Sequence, residues 1–219
     1  MKKQKDKNKI KYNFGYDFIK VTGIIPAYIW VRPKIIREGE QSKKVKGGML
    51  IASNHVTFID PIIMHLAFPS RRLYSVATKD VMGVSKFRQF FFKFTNCIFI
   101  DRQNFSTANL HTICNVLKKD KAVMIFPESK INFDDGVKEY KSGVVLMAAL
   151  SKKPIIPVCI IKNERWYQRT KVIIGEPVYV TPKNGFMLTI EEIEDITKTL
   201  QAKEKEMLEK YQPKTERKD

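Results

Sequence analysis

Gly48-Met49-Leu50-Ile51-Ala52-Ser53-Asn54-His55-Val56-Thr57-Phe58-Ile59-Asp60-Pro61 is the stretch from which the rest of the chain is read. The apolar run 49–52 is short, follows a glycine pair and reads as a buried strand. Ligand sites in open α/β sheets lie at the carboxyl ends of strands, so the polar residues that follow stand where chemistry is expected. His55 and Asp60 are five positions apart. An imidazole, with an unperturbed pKa of about 6.5, accepts a proton near neutral pH. A carboxylate on its other ring nitrogen fixes the tautomer and stabilises the imidazolium. Such a pair suits activation of a hydroxyl. A second reading stands beside it: Asp60 as an N-cap ahead of Pro61 at the first helical position, with His55 a polar loop residue.

Outward from this stretch, strands and helices alternate. Lys34–Arg37 reads as β, followed by a polar loop to Gly48. A helix is expected over 61–68, where His65 reads as structural, and a core strand over 73–77. Residues 98–100 form a strand ending at Asp101-Arg102. Thr107–Lys118 reads as a helix with Leu110, Ile113, Cys114 and Leu117 on one stripe and His111 off it. Residues 122–126 form another buried strand, which delivers Pro127-Glu128 at its carboxyl end. In a parallel sheet that turn lies on the same edge as the His55 loop, a physical reason for the two to form one site. A helix over 144–150, a strand over Ile155–Ile161, and strands Lys171–Ile174 and 178–180 flanking Gly175-Glu176-Pro177 follow. Thr189-Ile190-Glu191-Glu192 is a capping box. It opens a helix with Ile193, Ile196, Leu200, Met207 and Leu208 on one side. The alternation predicts a single α/β domain, a mixed, mostly parallel sheet flanked by helices.

A chain of 219 residues with 43% hydrophobic content is long enough for one such domain with a full core. Lys and Arg number 40 against 23 Asp and Glu, a net charge of +17. Such a surface attracts polyanions, nucleic acid or an anionic membrane. No zinc-finger spacing and no RNP-type aromatic motif is present, so nucleic acid is not expected as a partner. Cys97, Cys114 and Cys159 are scattered and odd in number, which suits reduced thiols on a cytosolic side rather than a disulfide framework or a metal site.

No cleavable signal peptide is read at the start of the chain. Residues 1–11 carry Lys2, Lys3, Lys5, Lys7, Lys9 and Lys11 and read as a basic, disordered arm. Beside a lipid-binding segment, each lysine can add roughly 1 kcal/mol of attraction to anionic lipid. Residues 12–33 read as an amphipathic, membrane-associated helical segment with Phe14, Phe18, Val21 and Ile25 on one face. Asp17 and Lys20 interrupt it, and Pro26 is expected to break or kink it, so it is too polar and broken for a span. The alternative is an amphipathic helix packed on the domain. In 85–94, Phe87, Phe90, Phe91, Phe92 and Phe94 lie among Lys86, Arg88 and Lys93. This segment suits either the core or a helix dipping into headgroups. Residues 34–212 form the folded domain, and 213–219 a frayed tail.

Asn54-His55, four residues, then Asp60 resembles the first sequence block of the glycerolipid acyltransferase family, the 1-acylglycerol-3-phosphate acyltransferases. Ile98-Phe99-Ile100-Asp101-Arg102 is similar to the second block, which ends in Ile-Asp-Arg. Phe126-Pro127-Glu128 is similar to the start of the third, Phe-Pro-Glu-Gly-Thr-Arg. Lys141-Ser142-Gly143 resembles the Lys-x-Gly segment that follows. Pro154-Ile155-Ile156-Pro157-Val158 looks like the fourth block, and Ile174-Gly175-Glu176-Pro177-Val178 like a late family strand. Three departures stand out. Asn96 takes the place of a usual Gly, Thr57 that of Ser, and Ser129-Lys130-Ile131-Asn132 that of Gly-Thr-Arg-Ser.

The resemblance implies an acyltransferase domain over 34–212 in which His55 takes a proton from an acceptor hydroxyl and Asp60 orients His55. It implies direct transfer from acyl-CoA or an acyl carrier protein to lysophosphatidate, with no cofactor and no metal. Asn54, Arg102, Glu128, Lys130, Lys141 and Gly143 are the residues it places on the substrate side. The family's third-block arginine is implied in holding the acceptor phosphate, which Ile131 cannot do. Lys130 or Lys138 replaces it only as a point charge. The departure leaves open a different lysolipid or amphiphile as acceptor, and below that a non-catalytic basic membrane-binding protein. Backbone N–H groups at the helix after Asp60 are the candidates for oxyanion donors. The expected setting is membrane-associated, on the cytoplasmic face, with an anionic membrane surface as partner.

Overall fold

The computed structural model describes residues 13–78, 92, 95–101, 106–128, 131–132, 138–161, 169–183, 185 and 188–212. In chain order these form α1 (Phe14–Val31), β1 (Lys34–Arg37), α2 (Gln41–Lys44), β2 (Met49–Ser53), α3 (Asp60–Ala67), β3 (Leu73–Thr78) and β4 (Cys97–Ile100). There follow α4 (Thr107–Lys118), β5 (Ala122–Ile125), α5 (Gly143–Ser151), β6 (Ile155–Ile161), β7 (Lys171–Ile174) and α6 (Ile190–Tyr211). The strands make one seven-stranded sheet in the order β1-β7-β6-β2-β5-β3-β4. β6, β2, β5, β3 and β4 are parallel. β7 runs antiparallel to β6 and parallel to β1. This is the mixed, mostly parallel sheet read from the alternation.

β2 is the central strand, and all of its residues are buried, as in a strand covered on both faces. Met49 and Ile51 pack with Ile63, Met64 and Ala67 of α3 on one side. Leu50 and Ala52 pack with Ile113 and Leu117 of α4, Val144 and Val145 of α5, and Leu200 of α6 on the other. The stripe expected on α4 is the buried one, with Ile113, Cys114 and Leu117 inside and His111 exposed. The capping box at Thr189 is formed in both directions.

Two local expectations are corrected. The stretch before Gly48 is not all loop, because residues 41–44 close a helical turn. Residues 178–180 are not a strand: Val178 makes a single antiparallel bridge to Ile155. The reason is edge occupancy. β6 pairs with β2 along one edge and, from Val158 onward, with β7 along the other, which leaves 155–157. Of these, Pro157 has no N–H to give and its carbonyl takes the N–H of Gly175 at 2.9 Å.

α1 runs through Pro26 as one helix, contrary to the expected break. It also docks by the opposite side from its apolar stripe. Tyr16 is buried and its hydroxyl accepts the N–H of Leu73 at 3.0 Å. Asp17 pairs with Arg72 through both carboxylate oxygens, and Lys20 donates to the carbonyl of Arg71. Phe14, Phe18, Val21, Ile25, Ile29 and Trp30 are left exposed, Phe14 at 72%. No described helix is long and apolar enough to cross a membrane. The arm 1–11, the tail 213–219 and, apart from Phe92, the aromatic segment 85–94 lie outside the described residues.

Gly48 opens β2 against the end of α4. A Cβ there would meet the carbonyl oxygen of Leu117 at 2.3 Å and the Cα of Asp120 at 3.3 Å, both backbone atoms that cannot step aside. Gly48→Ala is therefore expected to destabilise the fold by about 1–3 kcal/mol in urea unfolding. Gly23→Ala, whose Cβ meets nothing within 4 Å, should leave stability unchanged or slightly raised. Equal effects at the two glycines would contradict the packing.

Candidate active site

Asp60 has no solvent exposure. A carboxylate in that position must be hydrogen-bonded, and the loop that precedes it supplies the donors. Its Oδ2 accepts the N–H of Val56 at 2.7 Å and of Thr57 at 2.8 Å, and lies 2.7 Å from Nδ1 of His55. The hydroxyl of Thr57 donates to Oδ1. Asp60 is thus not an N-cap. Ile59 holds that position, and Asp60, as the first helical residue, turns its carboxylate backward onto the loop. The start of α3 is also no oxyanion hole. The N–H of Asp60 goes to Thr57, those of Ile62 and Ile63 both go to the carbonyl of Ile59, and Pro61 has none.

With Nδ1 on the carboxylate, the neutral ring carries its proton there, and Nε2 is the basic nitrogen. The ring stacks on Phe126 with centroids 4.2 Å apart and planes at 19°. Its side chain is 18% exposed, enough to be reached from one side.

Phe126 comes from the neighbouring strand. β2 and β5 are parallel, with Ala52 opposite Ile125. His55 and Glu128 each lie three residues beyond that pair, so register brings the two loops level. Glu128 is buried, and its Oε1 accepts the N–H of Lys138 at 3.3 Å. Its Oε2 has no partner among the described residues. Burial pushes this carboxyl up to about 7, against the opposing pull of Lys138 and His55. Asn132 donates its N–H to the carbonyl of His55 at 2.6 Å, so the divergent third block closes onto the histidine loop. Lys141 is exposed, and its N–H binds the carbonyl of Pro127 at 3.3 Å. Gly143 starts α5, where a Cβ would meet only Met147 at 3.7 Å, so no close approach requires glycine. Arg102 follows β4, and Lys130 follows the Glu128 turn. Both lie outside the described residues.

Asn54 is placed differently from a substrate contact. Its Nδ2 donates to the carbonyl of Ile160 at 2.9 Å and its Oδ1 accepts the Ile160 N–H at 2.7 Å. The buried amide therefore ties the end of β2 to β6. Sequence reasoning missed two neighbours, Phe126 under the ring and Glu204, whose Oε1 accepts the N–H of Asn54 at 2.6 Å. Glu204 was detectable as a carboxylate on the apolar stripe between Leu200 and Met207. Burial pushes the thiols of Cys97 and Cys159 up to about 12, which makes both inert. Among the described residues, no three His, Cys, Asp or Glu side chains group as a metal set.

Comparison with known proteins gives the same outline. A family model described as acyltransferase matches residues 34–161. The probable 1-acyl-sn-glycerol-3-phosphate acyltransferase of Mycoplasma pneumoniae is 25% identical over 150 residues, covering 66% of this chain and 56% of its own. The 1-acyl-sn-glycerol-3-phosphate acyltransferase of Borreliella burgdorferi is 23% identical over 167 residues, 74% of this chain and 66% of its own. The matches thus span between 56% and 66% of those curated relatives. The crystal structure of the 1-acyl-sn-glycerophosphate (LPA) acyltransferase PlsC from Thermotoga maritima superposes with a TM-score of 0.60 at 21% identity. It covers 89% of this chain and 79% of that one, a likeness of fold.

The raised carboxyl of Glu128 has a consequence for stability. Its folded value of about 7 lies above the ordinary 4.5, so the native state holds a proton that the unfolded chain has released. The associated stability is complete below about pH 4.5 and is lost as pH rises through about 7. Glu204 is shifted in the same direction. Urea-unfolding free energies of wild type should fall between pH 5 and 8. Glu128→Gln should remove up to roughly 2–3 kcal/mol of that fall. Parallel pH profiles would contradict the assignment.

Proposed function

The chain belongs to the acyltransferase family, and on that premise we propose that it moves a fatty acyl group from acyl-CoA or an acyl carrier protein to the sn-2 hydroxyl of lysophosphatidate. The product is phosphatidate, an intermediate of phospholipid synthesis. The observation that carries the reading is the imidazole–carboxylate pair, His55 Nδ1 to Asp60 Oδ2 at 2.7 Å, at the carboxyl end of the central strand. The names of the curated relatives supply the acceptor.

Nε2 of His55 takes the proton of the acceptor hydroxyl as its oxygen attacks the thioester carbonyl. Asp60 holds the ring and stabilises the imidazolium. The tetrahedral intermediate collapses, the carbon–sulfur bond breaks, and the departing thiolate takes the proton from Nε2. No acyl-enzyme and no cofactor is needed. Val56 and Thr57 give their N–H groups to Asp60, so the oxyanion donors come from elsewhere. Glu128, level with His55 across the β2–β5 register, positions the acceptor. Arg102, Lys130 and Lys141 hold its phosphate, whose charge near −2 needs positive partners. A different lysolipid acceptor is favoured by one observation: Ile131 stands where the family's third block has arginine, directly before the Asn132 that binds His55.

The enzyme works at a membrane surface. The exposed stripe of α1 enters the interface, and the basic charge draws the protein to anionic lipid. The cytoplasmic face is the expected side.

The test is thiol release from a long-chain acyl-CoA, and separately from an acyl carrier protein, with lysophosphatidate as acceptor. His55→Ala should abolish acceptor-dependent release while the circular dichroism spectrum is retained, and near-normal turnover would sink the mechanism. Asp60→Asn should lower kcat by on the order of 10³–10⁴, by analogy with a wrong-tautomer substitution in serine hydrolases. On the membrane side, Phe18→Ser with Val21→Ser and Ile25→Ser should release the protein from phosphatidylglycerol vesicles in sedimentation. Undiminished binding would move the anchor elsewhere.

A further inference from the structure

Glu204 lies on the buried side of α6 with no solvent exposure. Its Oε1 takes the main-chain N–H of Asn54 at 2.6 Å, across 150 positions of chain. Asn54 is the first residue beyond β2 and the last before His55. The same residue is tied by its side chain to Ile160 of β6. The main chain that aims His55 thus has two anchors, one on β6 and one on α6. An apolar side chain of similar size would serve α6 at this position without the desolvation cost of a carboxyl. Packing therefore does not account for the glutamate. Its second oxygen, Oε2, has no hydrogen-bond partner among the described residues, so the contact with Asn54 is what the carboxyl is there to make.

We propose that Glu204 is a positioning residue for acyl transfer: its carboxyl fixes the main chain at Asn54 and so the direction in which His55 leaves β2. It touches no substrate and acts through Asn54. The inference rests on the acyl-transfer reading above. Burial drives Glu204 well above the ordinary carboxylate range. The Asn54 N–H pulls the other way, and the charge of Glu128 adds to the rise. In the protonated form that burial favours, the group still accepts a hydrogen bond at its carbonyl oxygen. Glutamine retains that acceptor, and leucine does not. Of the elements packed on α6, β6 brings Cys159, whose thiol burial keeps neutral, and α5 brings no ionisable side chain.

The experiment compares wild type, Glu204→Leu, Glu204→Gln and Leu200→Ala in the full chain. The readouts are kcat and KM for acyl-CoA and lysophosphatidate, and hydrogen exchange at the Asn54 amide. Glu204→Leu is expected to lower kcat by about ten- to a hundredfold with KM little changed. It should also speed Asn54 exchange at least about tenfold. Glu204→Gln should restore most of both. Leu200→Ala weakens the same helix without touching Asn54, and should lower the melting temperature while leaving kcat intact below it. A folded Glu204→Leu with wild-type kcat overturns the proposal. So does a Leu200→Ala that loses kcat equally, because the effect is then loss of stability. Should Glu204→Leu not fold, Glu204→Asp decides, since its carboxyl is withdrawn by one methylene. A tenfold lower kcat supports positioning, and an unchanged kcat overturns it. Wild type without turnover on either donor removes the acyl-transfer reading itself, whereas active wild type with equally active Glu204→Leu removes this inference alone.

Discussion

Asp60 has no contact with solvent, and its carboxylate accepts from Val56, Thr57 and the hydroxyl of Thr57 while holding the ring of His55. Burying a charge is tolerated only where hydrogen bonds replace the water it loses. The loop 55–57 is therefore shaped by the needs of the carboxylate rather than by its own turn preference. The ring cannot swing away without removing one of the partners of Oδ2. The imidazole is thus held in one tautomer, with Nε2 as the basic nitrogen, before any substrate arrives. This is the kind of preorganisation on which general-base chemistry depends.

The sheet provides the rest. Parallel pairing of β2 with β5 brings the ends of both strands to one edge, and the register sets Glu128 level with His55. Once there, the loops are joined directly, by the N–H of Asn132 on the carbonyl of His55 and by the stacked ring of Phe126. Asn54 continues the pairing of β2 with β6 one residue past the strand, using a side-chain amide in place of a peptide. Backbone and side-chain bonds thus extend the order of the sheet into the site.

What was legible in the sequence was local or periodic. The 49–52 run, the α4 stripe and the α6 capping box each carry their own period or spacing, and each forms as read. His55 and Asp60 are close in sequence, so one loop brings them together. Glu204 belongs to a contact across 150 positions, and only its place on an apolar stripe hints at it. The direction of the Asp60 carboxylate was not legible either, because an N-cap and a backward-turned first helical residue share the same Asp-Pro signal. Which side of α1 docks was not legible: the sequence left a membrane-facing stripe and a stripe packed on the domain both open, and the stripe is exposed. The Tyr16 hydroxyl on the Leu73 N–H, the ion pair of Asp17 with Arg72 and Lys20 on the Arg71 carbonyl hold the other side of the helix to the domain. Residues 178–180 have strand composition but met only residues 155–157 of β6, where Pro157 has no N–H to extend a ladder beyond the Ile155–Val178 bridge.

The orientation of α1 bears on the chemistry. α1 packs on α3 through Tyr16, whose ring lies 5.9 Å from that of His65. α3 begins with Asp60, the residue that holds His55. The exposed apolar stripe and His55 are therefore joined through two helices and a handful of polar contacts. On the acyl-transfer reading, this fixes the height of Nε2 relative to whatever surface α1 enters. A substrate whose hydroxyl lies near its headgroup and whose chain remains in lipid would need its reacting atom at one depth. On that reading, α1 packed on α3 would set that depth, where a helix attached by a flexible linker could not.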